Sequence, residues 1–373
     1  MSTLAWHTAC VLERQHSVDT RKQGVIMKRH ILLFGIITVF SGISSAAPPE
    51  PSQTAGFPVP EWKRQGPLVM VWPEFISRGR GMVPAAQEII SSLPDKIEIG
   101  LTSPRPPDPA RLQQIGRGVR YLPSASVSSV FIQDWGGHPA VFSDGRLYIA
   151  KFHYDSRQFS GRTAALAQHN NEAGRQIADL LYGHFEDVPL IASGTHIHLN
   201  GAGVALVSHR VIAENEHLSL SEITSLLHEH LRIEQVVFIP VPPGESNGRI
   251  DGLVRFASEQ TVLLAQPSAT NAHARSFSDK VKGLLNDSLE DSFQVIPVPV
   301  EIKDWGSVAG NYLHFIQTEN YVLMPLYGSP ADNDTLNQFS GLFPDIRIYP
   351  INAAPLNEFE HEGISLNRLL LSY

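Results

Sequence analysis

From Pro67 onward, short apolar or alternating runs recur along the chain, and they leave it few architectures to adopt. They read as strands at Leu68 to Trp72, Ile97 to Leu101, Val130 to Ile132, Leu147 to Phe152, Leu190 to Ala192, Ile197 to Leu199 and Val204 to Val207. The series continues through Val236 to Ile239, Leu253 to Phe256, Thr261 to Leu264, Phe293 to Val298, Leu313 to Gln317, Tyr321 to Pro325 and Ile346 to Ile351. Helical periodicity interrupts it, best at Arg162 to Leu181 and Leu220 to Leu231, and more faintly at Pro84 to Leu93, Ala274 to Leu285 and Asp332 to Phe339. Ser219 followed by Glu222 is a capping box that opens the second helix. The order strand, strand, helix, strand repeats about five times with no low-complexity linker, which reads as one α/β domain of roughly 310 residues. The 27 prolines and 28 glycines, spread along the chain, suit many short elements joined by turns.

The N-terminal region departs from this pattern. A basic start at Lys28 and Arg29 leads into the apolar run Ile31 to Phe40, and Ser44, Ser45 and Ala46 then supply small residues of the kind a signal peptidase reads. The run is shorter than the roughly 20 apolar residues of a membrane span, and Pro48 and Pro49 break any helix after it. The expectation is a signal peptide over residues 27–46, export to the periplasm or medium, no membrane anchor after cleavage, and a flexible segment over 47–56. Residues 1–26 are then left without a role, as an upstream mis-start, and Met27 becomes the candidate start. Cys10, the single cysteine, lies upstream of the cleavage site, so the exported chain has no thiol for a disulfide, a metal or a nucleophile. A formal net charge of -8 gives no reason to expect a nucleic-acid partner.

Several segments then carry a resemblance. Val59-Pro60-Glu61-Trp62 precedes a strand ending Val71-Trp72-Pro73. In order after it come Ile132-Gln133-Asp134-Trp135-Gly136, Ser193-Gly194-Thr195 before Asn200-Gly201, Asn247-Gly248-Arg249-Ile250-Asp251 running into Arg255-Phe256, and Asn311-Tyr312-Leu313-His314-Phe315. Val322-Leu323-Met324-Pro325, Gly328, Asp332 and Phe343-Pro344-Asp345 continue the series. Across residues 57–373 the chain thus resembles the agmatine deiminase and Porphyromonas-type peptidylarginine deiminase family. The resemblance implies a five-bladed, pseudo-symmetric α/β propeller of ββαβ repeats, with no cofactor or metal. As partner it implies a small guanidino compound or an arginine side chain.

Deimination needs an acidic pair to hold a planar guanidinium, a thiolate to attack its carbon and a histidine to move protons to the leaving amine. By resemblance, Asp134 and Asp251 are the two guanidinium-binding acids, and Phe131 and Trp135 line the substrate. The other positions differ from the family. Arg249 stands where the family has its histidine, and a guanidinium stays protonated at any working pH. Ser193 or Ala192 stands at the glutamate of agmatine deiminases, His314 at an asparagine, and Gln133 at the arginine beside the first aspartate. In Gly363-Ile364-Ser365-Leu366-Asn367-Arg368, the most natural register puts Arg368 at the catalytic cysteine and Asn367 at the histidine before it; a register shifted by two puts Leu366 at the cysteine. Ser365 has no base to activate it.

The leading expectation is therefore a family member without hydrolytic activity that still recognises guanidino groups. Two alternatives stand beside it. One is a hydrolase using other groups, with His138, His196, His198 and His314 in or beside the motif loops and His196-x-His198 spaced as zinc ligands can be. The other is a non-catalytic secreted scaffold. Two carboxylates facing each other in a buried pocket would need a proton or a cation. The guanidinium of Arg249 or Arg368 is expected to fill the site from within, against the alternative that both arginines point to solvent from its rim.

Overall fold

The computed structural model describes residues 56–75, 79–155, 164–362 and 364–373. The expected signal peptide, the upstream segment and nearly all of the 47–56 segment lie outside the described residues. Their strands form five separate sheets. The first to begin in sequence is opened by β1 (Phe57–Pro58), which pairs antiparallel with β5 (His138–Val141). Between these two in sequence lie β2 (Leu68–Val71), helix α1 (Gly79–Ser92), β3 (Ile99–Ser103), helix α2 (Pro109–Ile115), β4 (Arg120–Pro123) and the one-turn helix α3 (Ile132–Trp135). Strands β2, β3 and β4 are parallel, as connections through α1 and α2 require.

Four of the five sheets repeat one device, an antiparallel pair followed by a helical crossover to a parallel strand. Strand β5 turns back into β6 (Leu147–His153), and helix α4 (Ala164–Tyr182) leads to β7 (Phe185–Ile191), parallel to β6. Strands β8 (Ile197–Leu199) and β9 (Val204–Ser208) pair, and helices α5 (His209–Glu214) and α6 (Leu220–Leu231) lead to β10 (Gln235–Ile239). Strands β11 (Val254–Ser258) and β12 (Thr261–Pro267) are followed by α7 (Ala272–Ser288) and β13 (Gln294–Val300). Strands β14 (Ile316–Gln317) and β15 (Tyr321–Leu326) are followed by α8 (Ala331–Leu342) and β16 (Arg347–Asn352).

After β16 the chain makes the one-turn helix α9 (Leu366–Leu369) and ends in β17 (Leu370–Ser372), which pairs antiparallel with β2 in the register Leu370↔Met70 and Ser372↔Leu68. Strand β17 thus supplies the antiparallel partner that the β2–β3–β4 sheet otherwise lacks. Buried Arg64 holds this closure, its Nη1 donating to the Ser372 carbonyl at 3.1 Å and its Nε to the Val59 carbonyl at 3.2 Å. The closure carries α9, and Arg368 with it, next to α3.

Two elements differ in kind from the sequence reading, and β7 begins at Phe185, five residues before the expected Leu190. Val130 to Ile132 is not a strand: Ile132 begins α3, and Ile132 and Trp135 pack in the core while Asp134 is presented to the site. An apolar triplet this short carries too little periodicity to separate the two states. Leu313 to Gln317 is a strand only over β14, because Asn311 accepts the Leu313 N–H and winds Tyr312–His314 into a 3-10 turn. The strands β1, β4, β5 and β17 and the helices α2, α3, α5 and α9, all short, were not read from the sequence.

Candidate functional site

The turn α3 sets the first acid. Gly136 donates its N–H to the Ile132 carbonyl and closes the turn, and the Asp134 carboxylate, 2% exposed, is held in the interior. Beside it lies the 3-10 turn Gly194–His196, capped by Ser193, whose Oγ accepts the Thr195 N–H at 3.3 Å. Gly194 makes that approach possible, since a Cβ there would collide with the Gln133 carbonyl oxygen. Thr195 donates a long hydroxyl contact of 3.4 Å to Asp134 Oδ1.

Arg368 reaches Asp134 from α9. Its Nε donates to Oδ1 at 3.2 Å and its Nη2 to Oδ2 at 2.5 Å, a two-point grip of the kind that planar guanidinium and carboxylate groups favour. The guanidinium carbon stands 3.8 Å from the centroid of the Phe131 ring, so one face of the cation is covered by an aromatic surface. Both side chains are shut away from water, at 1% and 0% exposure.

The second acid, Asp251, lies in the loop that follows Glu245. Asn367, one residue before Arg368, donates its Nδ2 to Asp251 Oδ2 at 2.7 Å and is fixed in turn by the Ser365 hydroxyl, which donates to Asn367 Oδ1 at 2.8 Å. Asp251 Oδ1 has no hydrogen-bond partner, and neither has Nδ1 of the neighbouring His314. Burial works against the Asp251 charge, but Arg249, His314 and the Asn367 hydrogen bond outweigh it and hold the carboxyl well below its usual range.

Arg249 pairs with a carboxylate of its own loop. Its Nε and Nη2 both donate to Glu245 Oε2, at 3.0 and 2.8 Å, while Glu245 Oε1 accepts the Asn247 N–H at 2.7 Å. Burial disfavours the cation, yet Glu245 and Asp251 together raise its pKa above the ordinary arginine value. Sequence reading missed Glu245: it sits four residues before Arg249 in a loop, where spacing carries no information about facing side chains.

The remaining candidates take up supporting places. Trp135 is 1% exposed and belongs to the apolar core, with its indole N–H unpartnered. His196 is wholly buried, Nδ1 accepting the Ser193 N–H at 3.2 Å and Nε2 facing the Asn247 carbonyl at 2.8 Å, so it ties the first loop to the loop of Asp251. Burial lowers His196 and His198 to about 4 and His138 and His314 to about 3. With both His196 nitrogens engaged, His196-x-His198 does not present two free imidazoles, and among the described residues no group of three or more His, Cys, Asp and Glu side chains is placed to hold a metal. The site as built is a sealed set of three carboxylates and two guanidiniums, suited to recognising a planar cation and poor in groups that could attack one.

Known proteins share this framework. The sequence model of the Porphyromonas-type peptidyl-arginine deiminases matches residues 57–361. The agmatine deiminase of Ectopseudomonas mendocina is 22% identical over 332 residues, covering 79% of this chain and 89% of that protein. The agmatine deiminase of Pseudomonas putida is 22% identical over 337 residues, covering 79% and 90%. In three dimensions the agmatine deiminase of Enterococcus faecalis superposes with a TM-score of 0.74 at 15% identity, over 87% of this chain and 99% of that one. The C. jejuni agmatine deiminase gives 0.72 at 19% identity, over 85% and 96%. The mixed α/β fold of several small sheets is the fold of these enzymes.

Proposed function

We propose that this chain, which belongs to the Porphyromonas-type peptidyl-arginine deiminase family of guanidino-group hydrolases, is a non-hydrolytic member that keeps the family's guanidinium-recognising acids without its chemistry. In this reading the five sheets are the blades of a pseudo-symmetric propeller, and α9 brings to its centre the position where the family carries its nucleophile. The observation that carries the reading is the two-point contact of Arg368 with Asp134; in the register that the resemblance suggests, this guanidinium takes the place of the family's cysteine and is held as a substrate's would be.

Hydrolysis of a guanidinium requires a nucleophile to bond to its carbon and an acid to protonate the departing amine, and each contributes orders of magnitude in rate. The Ser365 hydroxyl donates to Asn367, not to a base. His314 and His198, held at about 3 and 4, are weak proton acceptors at neutral pH, and Arg249 cannot give up its proton. These features weigh against a hydrolase that uses other groups. The filled site also favours a second reading, an interaction scaffold, over a receptor for small molecules.

A colorimetric ureido assay with agmatine, free arginine and arginine peptides tests the proposal. No citrulline or carbamoylputrescine above the no-protein control is expected. Turnover that persists through purification and vanishes in Asp251→Ala would reject it.

A further inference from the structure

The contacts that Asp134 and Phe131 offer a guanidino group are already made within the chain. Asp134 gives two parallel acceptors, Phe131 gives a flat apolar face, and the surrounding side chains exclude water. Arg368 is delivered from α9, one residue after Asn367, which is bonded to the second acid, and two residues before β17, which is paired with β2 and clasped by Arg64. A group tethered this tightly meets its partner at a high effective concentration, and an untethered competitor has to displace it along with the backbone that carries it.

We propose that the Arg368 side chain is a built-in ligand of the Asp134–Phe131 site, and that removing it uncovers a receptor for the free guanidinium ion and short guanidino compounds. The inference rests on the reading of Asp134 as a retained guanidinium acid, and it goes beyond loss of hydrolysis: the native chain is closed to external guanidines because it supplies its own. The cation is required as well as the shape. Urea has a similar planar outline and no charge, and the carboxylate discriminates against it.

The test compares the full chain with Arg368→Ala in thermal melts, using millimolar guanidinium chloride against sodium chloride at equal ionic strength, with methylguanidine and urea as further probes. The variant is expected to gain roughly 2–4 °C with guanidinium, saturably, while the native chain gains nothing beyond the sodium control. Methylguanidine should act like guanidinium, urea should not, and Arg368→Ala/Asp134→Asn should lose the response. If Arg368→Ala does not hold its fold unaided, refolding yield in guanidinium against sodium gives the same comparison. Equal responses to guanidinium and sodium would overturn the inference, as would a response that survives Asp134→Asn or a native chain that binds guanidinium as well as the variant. Ureido product is measured separately: turnover by the native chain rejects the non-hydrolytic reading, whereas guanidinium binding by the native chain rejects only the built-in ligand.

Discussion

Arginine at positions 249 and 368 enters the same interior and finds different partners. Arg368 takes Asp134 and stacks on Phe131, whereas Arg249 turns to Glu245 in its own loop. A buried ion pair is weak evidence of stability, because two charges have been taken out of water, but breaking one by removing a single partner is costly. Glu245→Gln should therefore lower unfolding stability by about 3–5 kcal/mol, since it leaves the Arg249 cation buried with less compensation. The double variant Glu245→Gln/Arg249→Met should recover much of that loss, because both charges are then gone. Urea melts of the two singles and the double close the cycle; additive losses would mean that the pair is not coupled.

At the level of elements, the two one-turn helices and the 3-10 turn matter more to the site than any long helix. The turn Gly194–His196 lies against α3 so closely that a Cβ at Gly194 would meet the backbone oxygen of Gln133, which cannot move without moving Asp134. Gly194→Ala should cost about 1–3 kcal/mol as overpacking. It should also shift Asp134 away from Arg368, seen as a changed environment of the Arg368 side chain in NMR spectra. A variant as stable as the parent with unchanged Arg368 resonances would show that this turn does not set the position of Asp134. Helix α6 makes the contrast: its capping box is local, so Ser219 and Glu222 announce it in the sequence and the structure builds it from Leu220 to Leu231 as read.

Across the whole molecule, four histidines from different sheets and loops are buried and held neutral. His138, His196, His198 and His314 lie at about 3, 4, 4 and 3, each displaced chiefly by burial from an ordinary value of 6.5. Because the folded pKa lies below the unfolded one, their contribution is complete above pH 6.5 and is lost as pH falls toward 4, where the unfolded chain takes up protons that the folded chain refuses. Each histidine adds up to about 1.4 kcal/mol per pH unit to that slope. Denaturant midpoints should fall steeply between pH 6.5 and 4, and His138→Phe, which keeps an aromatic ring against Phe152, should make the fall less steep. An unchanged slope in that variant would mean that His138 titrates normally.

The sequence by itself determined the α/β class, the extents of α6 and β8, and the segments where chemistry would gather, because capping boxes, alternating runs and motif spacing are properties of neighbours along the chain. It also raised the internal occupation of the acid site, leaving open Arg249 or Arg368, Asp251 or Asp134. Only the tertiary structure decided among them. Arg368 and Asp134 are 234 residues apart and meet because β17 pairs with β2, while Arg249 is diverted by Glu245 in a loop whose path has no periodic signature. Partner choice in a buried polar cluster depends on which donors reach which acceptors once water is excluded, and that geometry exists only after the sheets have assembled.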